Sequence, residues 1–468
     1  MLRRFGICKI IGLSVVLSAV LAAKTGLAQT CSGTCYYVSW SSGNDSNSGT
    51  SQSSPWQTIG KVQANLVNLQ AGDGVFFKRG DTWTGSGLTP TSLNGSASAP
   101  ITFGSYGTGA APIIDGGGTG GANACFLANG GPGYFSYITI DGWECRNTLQ
   151  YGIYFHDYGT PGQTGMPGIV VQNMHIHNTG PGAYYPCQSP PDYYCQPYDP
   201  GDPRDPHYNP DLHQSYRNQL MFLDETLYAD RTRFLNNLVH DCGGHNCIQI
   251  HGDTGAPMVQ GNTCYTWKHN CIDVKSVTGA VLDSNVVHSG NCCALYIENP
   301  TDGTGLAGGA DATFSNNVVY GVTGGIECEP NSGLPVTCYI YNNTIQLSGS
   351  NSAVVTSALC TYSLTLTVEN NIFDNLSNLF YNPNSCGGFI SVWDYNDDCG
   401  VSGTCDSTPR GPHDIVQQDP KFVNSTGNDY HLQSISPCKD AGTTISAVTK
   451  DFDGISRPQG SANRTRLP

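Results

Sequence analysis

Short apolar alternations recur along the chain with a period of two rather than 3.6. Ile153/Phe155, Ile248/Ile250, Ile272/Val274, Leu295/Ile297 and Ile326/Cys328 each enclose one residue of different character. Alternation of this kind puts the pair on one face of a strand and the enclosed residue on the other. The alternations are themselves part of a longer recurrence. Asn-Asn-Leu-Val-His at 236–240 is followed by Gly-Asn-Thr-Cys-Tyr at 261–265, Ser-Asn-Val-Val-His at 284–288 and Asn-Asn-Val-Val-Tyr at 316–320. Asn-Asn-Thr-Ile-Gln at 342–346 and Asn-Asn-Ile-Phe-Asp at 370–374 continue the series. Asn237, Asn262, Asn285, Asn317, Asn343 and Asn371 thus stand 23 to 32 residues apart, and Gln172-Asn173-Met174-His175-Ile176 reads as an earlier member. A period in this range without a helical pattern predicts stacked coils of short strands, an all-β, single-stranded right-handed parallel β-helix (solenoid). A sandwich would show strands without recurrence, and propeller blades need about forty residues each. Asn suits the recurring position because it tolerates left-handed backbone at a sharp turn and its amide can bond the Asn of the next coil.

Equivalent residues of successive coils stack about 4.8 Å apart, so aligning the apolar pairs predicts which other residues share a surface. One outward column is Tyr154, Gln249, Asp273, Tyr296 and Glu327; the next is His156, His251, Lys275, Glu298 and Glu329. A coil around Leu220–Asp224 belongs between the first two, with its register open. Only 12% of the residues are charged, so a ladder of Asp, Lys, Glu and His is a departure from the background. Either it is an ordinary solvated face, with Lys275 and Glu298 as a surface pair worth about 0–1 kcal/mol, or it floors a carbohydrate cleft.

Around the repeat, Met1–Ala28 carries Arg3, Arg4 and Lys9, an apolar run at 10–23 and a small-residue end, the pattern of a secretory signal peptide. Residues 29–136 form a lead-in and cap, 137–384 the coils, and 385–468 a loop-rich end; 177–217 is a Tyr/Pro/Asp-rich insertion. The insertion could cover the cleft as a flap or cap the side of the coil, tied by Cys187 and Cys195. No other apolar run reaches membrane length, so the expectation is a secreted monomer, extracellular or periplasmic, with no membrane contact after cleavage. The 20 cysteines fit disulfide formation in such a compartment, with Cys31/Cys35 as a local staple and Cys247/Cys271 as an inter-coil disulfide or thiol stack. No cysteine pairs have zinc spacing. Asp45-Ser46-Asn47-Ser48-Gly49 has the front of a calcium loop without its closing Glu and reads as a turn. With 36 acidic against 21 basic residues and a net charge of -15, nucleic acid is excluded as a partner.

Tyr37-Val38-Ser39, Gly43-Asn44-Asp45-Ser46-Asn47-Ser48-Gly49-Thr50, Pro55-Trp56-Gln57-Thr58-Ile59 and Gly72-Asp73 resemble the opening of secreted right-handed β-helix proteins of the pectate-lyase-like superfamily. Asp419-Pro420-Lys421-Phe422, Asp429-Tyr430-His431-Leu432 and Asp451-Phe452-Asp453-Gly454 resemble a C-terminal segment of the same proteins. The resemblance implies the fold, export and a polysaccharide partner, and leaves the reaction open. Asp273-Val274-Lys275-Ser276 is similar to the strand of β-helix alginate lyases that carries a catalytic Lys. Where that family's next coil supplies a cation, this chain has Glu298.

The leading expectation is a uronan lyase acting by β-elimination, on a polysaccharide that is itself acidic. Lys275 or His251 would abstract the proton, with Glu298 beside them. Ca2+ on Asp273, Glu327 and Glu329 would neutralise the uronate, and Gln249, Tyr296, Tyr154 and His156 would bind sugar. The alternatives are a glycoside hydrolase using Glu298 with Glu327 or Asp273, and a non-catalytic glycan-binding or surface β-helix protein.

Overall fold

The computed structural model describes residues 31–457 apart from 119–120, 132, 158–164, 180–220, 225–230, 243–245, 268, 301–305, 331–333, 348–351 and 400–410. The signal segment Met1–Ala28, nearly all of the 177–217 insertion and the Cys187/Cys195 pair lie outside the described residues.

Successive coils place equivalent strands side by side, and every pairing between coils is parallel. One sheet has twelve strands among the described residues, running from Cys35–Val38 through Gly74–Lys78 and Ile101–Tyr106 to Ile390–Asp394. The lead-in strands therefore belong to the same stack as the Asn-marked coils. The expected register is the observed one: Ile248 pairs with Ile272, Ile272 with Leu295, and Leu295 with Ile326. The open coil is resolved too, since Met221 pairs with Ile153 on one side and Ile248 on the other. Inward residues make a continuous core. Its N-terminal part is aromatic, with Phe77 edge-on to Trp143 at 4.9 Å and Phe103 edge-on to Phe126 at 5.2 Å.

A short helix, Ile59–Asn65, lies at the start of the stack, and Thr58 caps it by accepting the Lys61 N–H. Asp45 holds that cap: one oxygen accepts the N–H groups of Gln57 and Thr58, the other the Thr58 hydroxyl. The Asp45 turn is thus a structural clasp. At the other end, the hairpin of Phe422–Asn424 and Asp429–Leu432 lies against the outside of the coils, with Phe422 and Tyr430 packed on Val318 and Ile372.

The recurring Asn residues form one hydrogen-bonded column, buried at its full length. From Asn237 to Asn396, each Nδ2 donates to Oδ1 of the next Asn at 2.9–3.0 Å. Each backbone N–H donates to that same oxygen, and the second Nδ2 proton reaches a carbonyl, as Asn285 does to Val259. Two expectations need correction. The left-handed backbone belongs not to the column but to the residue before it: Asn236, Gly261, Ser284, Asn316, Asn342 and Asn370 have φ of 54–66°. The bend and the stack require different things of the chain, so neighbouring residues supply them. Asn173 is accordingly a bend residue (φ 53°), and Met174 takes the column position, its N–H donating to Asn237 Oδ1.

Six disulfides occur among the described residues, as an oxidising compartment outside the cytoplasm allows. Cys31–Cys35 is the expected staple. Cys247 and Cys271 are not bonded to each other; they pair with Cys242 and Cys264. Stacked equivalents point the same way, whereas residues on either side of a corner within one coil point toward each other. Cys438 is free and buried, its thiol donating to the Asp397 carboxylate. No helix among the described residues is long and apolar enough to cross a membrane.

Candidate functional site

The two outward columns form as the alternation dictates. Gln249 pairs with Asp273, Asp273 with Tyr296, and Tyr296 with Glu327; His251 pairs with Lys275, Lys275 with Glu298, and Glu298 with Glu329. At the early end, Tyr154 and His156 pair with Phe222 and Asp224, one coil before Gln249 and His251.

Exposure divides this ladder. Tyr154, His156, Gln249, His251, Asp273 and Glu329 are buried, whereas Lys275, Tyr296, Glu298 and Glu327 reach the surface in part. Tyr154 is covered by its stack on Tyr151, at 4.2 Å between ring centres. Gln249 and Asp273 are joined through Asn246, whose Nδ2 donates to Gln249 Oε1 (2.9 Å) and to Asp273 Oδ2 (2.6 Å).

Charge on the ladder converges on one ammonium. Lys275 Nζ lies 2.7 Å from Glu298 Oε2 and 3.7 Å from Asp273 Oδ2. Burial pushes the Asp273 carboxyl up to about 6; Lys275 and His251 oppose the shift and Glu298 adds to it. Burial also raises Glu329, against the hydrogen bonds from Ser357, whose N–H reaches Oε2 at 2.9 Å, and with help from Glu298. The Tyr296 phenol is raised well above its ordinary value by desolvation and then by Glu298, Glu327, Asp273 and Glu329. Glu327 Oε2 accepts the Cys293 thiol.

The carboxylates do not converge on a common point. Asp273 Oδ2 is taken by Asn246 and Lys275, Glu329 Oε2 by Ser357 and Glu327 Oε2 by Cys293. Among the described residues, three potential ligand atoms gather within 4.8 Å at His175/His177/His240 and at Cys247/Cys264/Cys271, not at Asp273, Glu327 and Glu329. The oxygen-rich shell that a calcium ion requires is therefore not assembled by these side chains.

A second outward stack lies on another face of the same coils, and the sequence reading did not single it out. His177, His240, Tyr265, His288 and Tyr320 occupy one column, with ring centres 4.5–5.0 Å apart and planes within 13°. Its signal was the last letter of each recurring pentapeptide: His240, Tyr265, His288, Tyr320. His175 stacks on His177 at 4.4 Å, and burial followed by the neighbouring His177 and His240 lowers it to about 4.

No known protein-family profile matches the chain. A stretch of 104 residues, 20% of the chain, is 36% identical to a lacto-N-biosidase of Bifidobacterium longum subsp. longum. The match spans 6% of that relative's length. Among solved structures, pectate lyase Pel9A superposes with a TM-score of 0.56 and 15% identity over 95% of this chain and 97% of its own. The complex of XylC with xylose gives 0.50 and 11% over 92% and 98%. These likenesses concern the path of the backbone, and they agree with the coil register and the all-parallel pairing: the chain has the parallel β-helix fold of the pectate-lyase-like proteins.

Proposed function

We propose that the protein is an exported glycan-cleaving β-helix whose reaction is glycoside hydrolysis at Glu298 and Glu329. The observation that carries this reading is the opposite treatment of two carboxylates one rung apart. Glu298 has a counter-charge, the Lys275 ammonium at 2.7 Å. Glu329 is buried and its carboxyl is raised, first by desolvation. A buried carboxyl beside a carboxylate paired with an ammonium suits a division of roles between proton donor and nucleophile. A rung of about 4.8 Å is also close to the ~5–5.5 Å between carboxyl groups in retaining glycosidases.

On this reading Glu329 donates its proton to the glycosidic oxygen as the C–O bond breaks, and Glu298 attacks the anomeric carbon. Glu329 then takes a proton from the water that releases the sugar. Lys275 keeps Glu298 oriented, and Tyr296, beside both, offers a ring face to the sugar. The acidic surroundings favour a neutral glycan over a polyuronate, since Glu327 and Asp273 add to the same field. No step requires calcium, which the donor set does not fit.

β-Elimination is the second reading, favoured by Lys275 reaching the surface on a strand similar to that of the β-helix alginate lyases. Lys275 would have to release its proton and its pair with Glu298 before taking a proton from the substrate. Incubating the full-length protein with neutral glycans and with polyuronates separates the readings. New reducing ends without unsaturated uronates, lost in E298Q and E329Q, support hydrolysis. Ultraviolet absorbance of unsaturated uronates, lost in K275A, establishes elimination instead. Binding without either product reduces the protein to a glycan-binding module.

A further inference from the structure

We infer that His175, His177 and His240 form a binding site for one divalent transition-metal ion, with Zn2+ the best match. Nε2 of His175 and Nε2 of His240 face each other at 2.8 Å, and one ring nitrogen from each of the three lies within 4.8 Å of the others. His240 Nδ1 is 2.9 Å from Asp241 Oδ2. A neutral imidazole that donates at Nδ1 presents a lone pair at Nε2, the carboxylate–histidine arrangement that orients metal ligands. Glu144 supplies an oxygen on the same side: Oε1 is 3.4 Å from His177 Nε2 and Oε2 is 4.0 Å from His175 Nδ1. Arg146 fixes that carboxylate at 2.8 Å and is itself held by Asp115 at 2.7 Å.

Ring stacking alone accounts for His177 and His240, which continue the column of Tyr265 and His288. His175 stacks on His177 as well, but stacking does not dictate where its Nε2 points. That residue stands in the neighbouring column, paired with Glu144 and Leu238, yet turns its Nε2 onto His240. Two imidazoles on a tetrahedral Zn2+ with bonds of about 2.0–2.1 Å have nitrogens roughly 3.3 Å apart, so the 2.8 Å contact has only to open slightly. His175 is 36% exposed against 14% and 12% for its partners, which gives an ion an approach. Imidazole donors select Zn2+, Cu2+ or Ni2+ over the hard alkaline-earth ions. The cysteine group is different in kind: Cys264–Cys271 and Cys242–Cys247 are disulfides and offer no thiolate.

The test is calorimetric titration of Zn2+ into untagged, EDTA-treated full-length protein. The expected result is one ion per chain, bound more tightly than about 10 µM. His240→Phe and His175→Phe keep a ring in the stack and remove the nitrogen. Each should weaken binding by at least about 100-fold, beyond what losing an orienting partner costs. His288→Ala, in the stack but outside the trio, should bind as the parent does. No saturable binding, or binding unchanged in H240F, would overturn the proposal and leave the 2.8 Å contact as a hydrogen bond between neutral rings. Binding lost in H288A as well would also overturn it, because it would then depend on the stack and not on the donor atoms. Far-ultraviolet circular dichroism of each variant confirms that the coil is intact.

Discussion

Two polar ladders climb the same coils at the same spacing, and they differ in composition. The Asn237–Asn396 column repeats one residue, is almost fully buried, and hands each amide an acceptor on the next rung. The Gln249–Glu327 column changes residue at every rung and the His251–Glu329 column at every rung but the last, and four carboxylates share the Lys275 region. Repetition lets each rung satisfy the next, so the Asn column serves as structure. Variation leaves charge and proton affinity uneven, and unevenness is what acid–base chemistry uses. Loss of a rung should therefore affect stability in one ladder and turnover in the other.

Four measurements break or sharpen that contrast. The largest effect is expected for Glu298→Gln, which should lower turnover about a thousandfold, equivalent to ~4 kcal/mol of transition-state stabilisation, with the denaturation midpoint nearly unchanged. Asn285→Ala should do the reverse. It leaves the Val259 carbonyl and the Asn262 donors without partners in a dry interior and should cost on the order of 3 kcal/mol by chemical denaturation, with turnover per folded molecule preserved.

Asp273 gives a comparable effect, visible only as pH dependence. Its carboxyl is raised by burial to about 6, so in the window above ~4 the folded state keeps a proton that the unfolded state has released. Stability is full below that window and falls as the pH rises through about 6, by an amount on the order of 3 kcal/mol. Asp273→Asn should flatten this part of the profile; a slope that persists in the variant would assign it to other groups, with Asp397, raised to about 7, the next to replace. The smallest change is expected for His288→Ala, where loss of one ring between Tyr265 and Tyr320 should cost about 1 kcal/mol by thermal denaturation.

The coil register was legible because inward pairs such as Ile272/Val274 and Leu295/Ile297 carry both the period of the strand and the period of the coil. The conformational role of Asn was misplaced by one residue. The pentapeptides often hold two adjacent asparagines, and composition cannot tell the one that bends from the one that stacks. Burial was legible only in part: Gln249 and Asp273 occupy outward positions, and Asn246, in the strand of Gln249, ties down both its own coil's Gln249 and the next coil's Asp273. The His175/His240 contact was beyond a reading by period. The two stand 65 residues apart across the insertion, and His175 meets His240 by turning out of its own column.

The Asn column also has a direction. Within the column, every rung donates to the next one toward the C-terminal end, and the last, Asn396, gives its N–H to the Asp414 side chain. Such a column works as a ruler with an end stop, and what it measures is turns, not residues. One turn takes 23 residues between Asn262 and Asn285 and another takes 63 between Met174 and Asn237, with a backbone N–H donating to the next Asn Oδ1 in each. Extra chain can therefore be inserted between rungs without disturbing the next one. A lineage of such proteins is free to rebuild the surfaces that meet a substrate while the register that positions Lys275, Glu298 and Glu329 stays fixed.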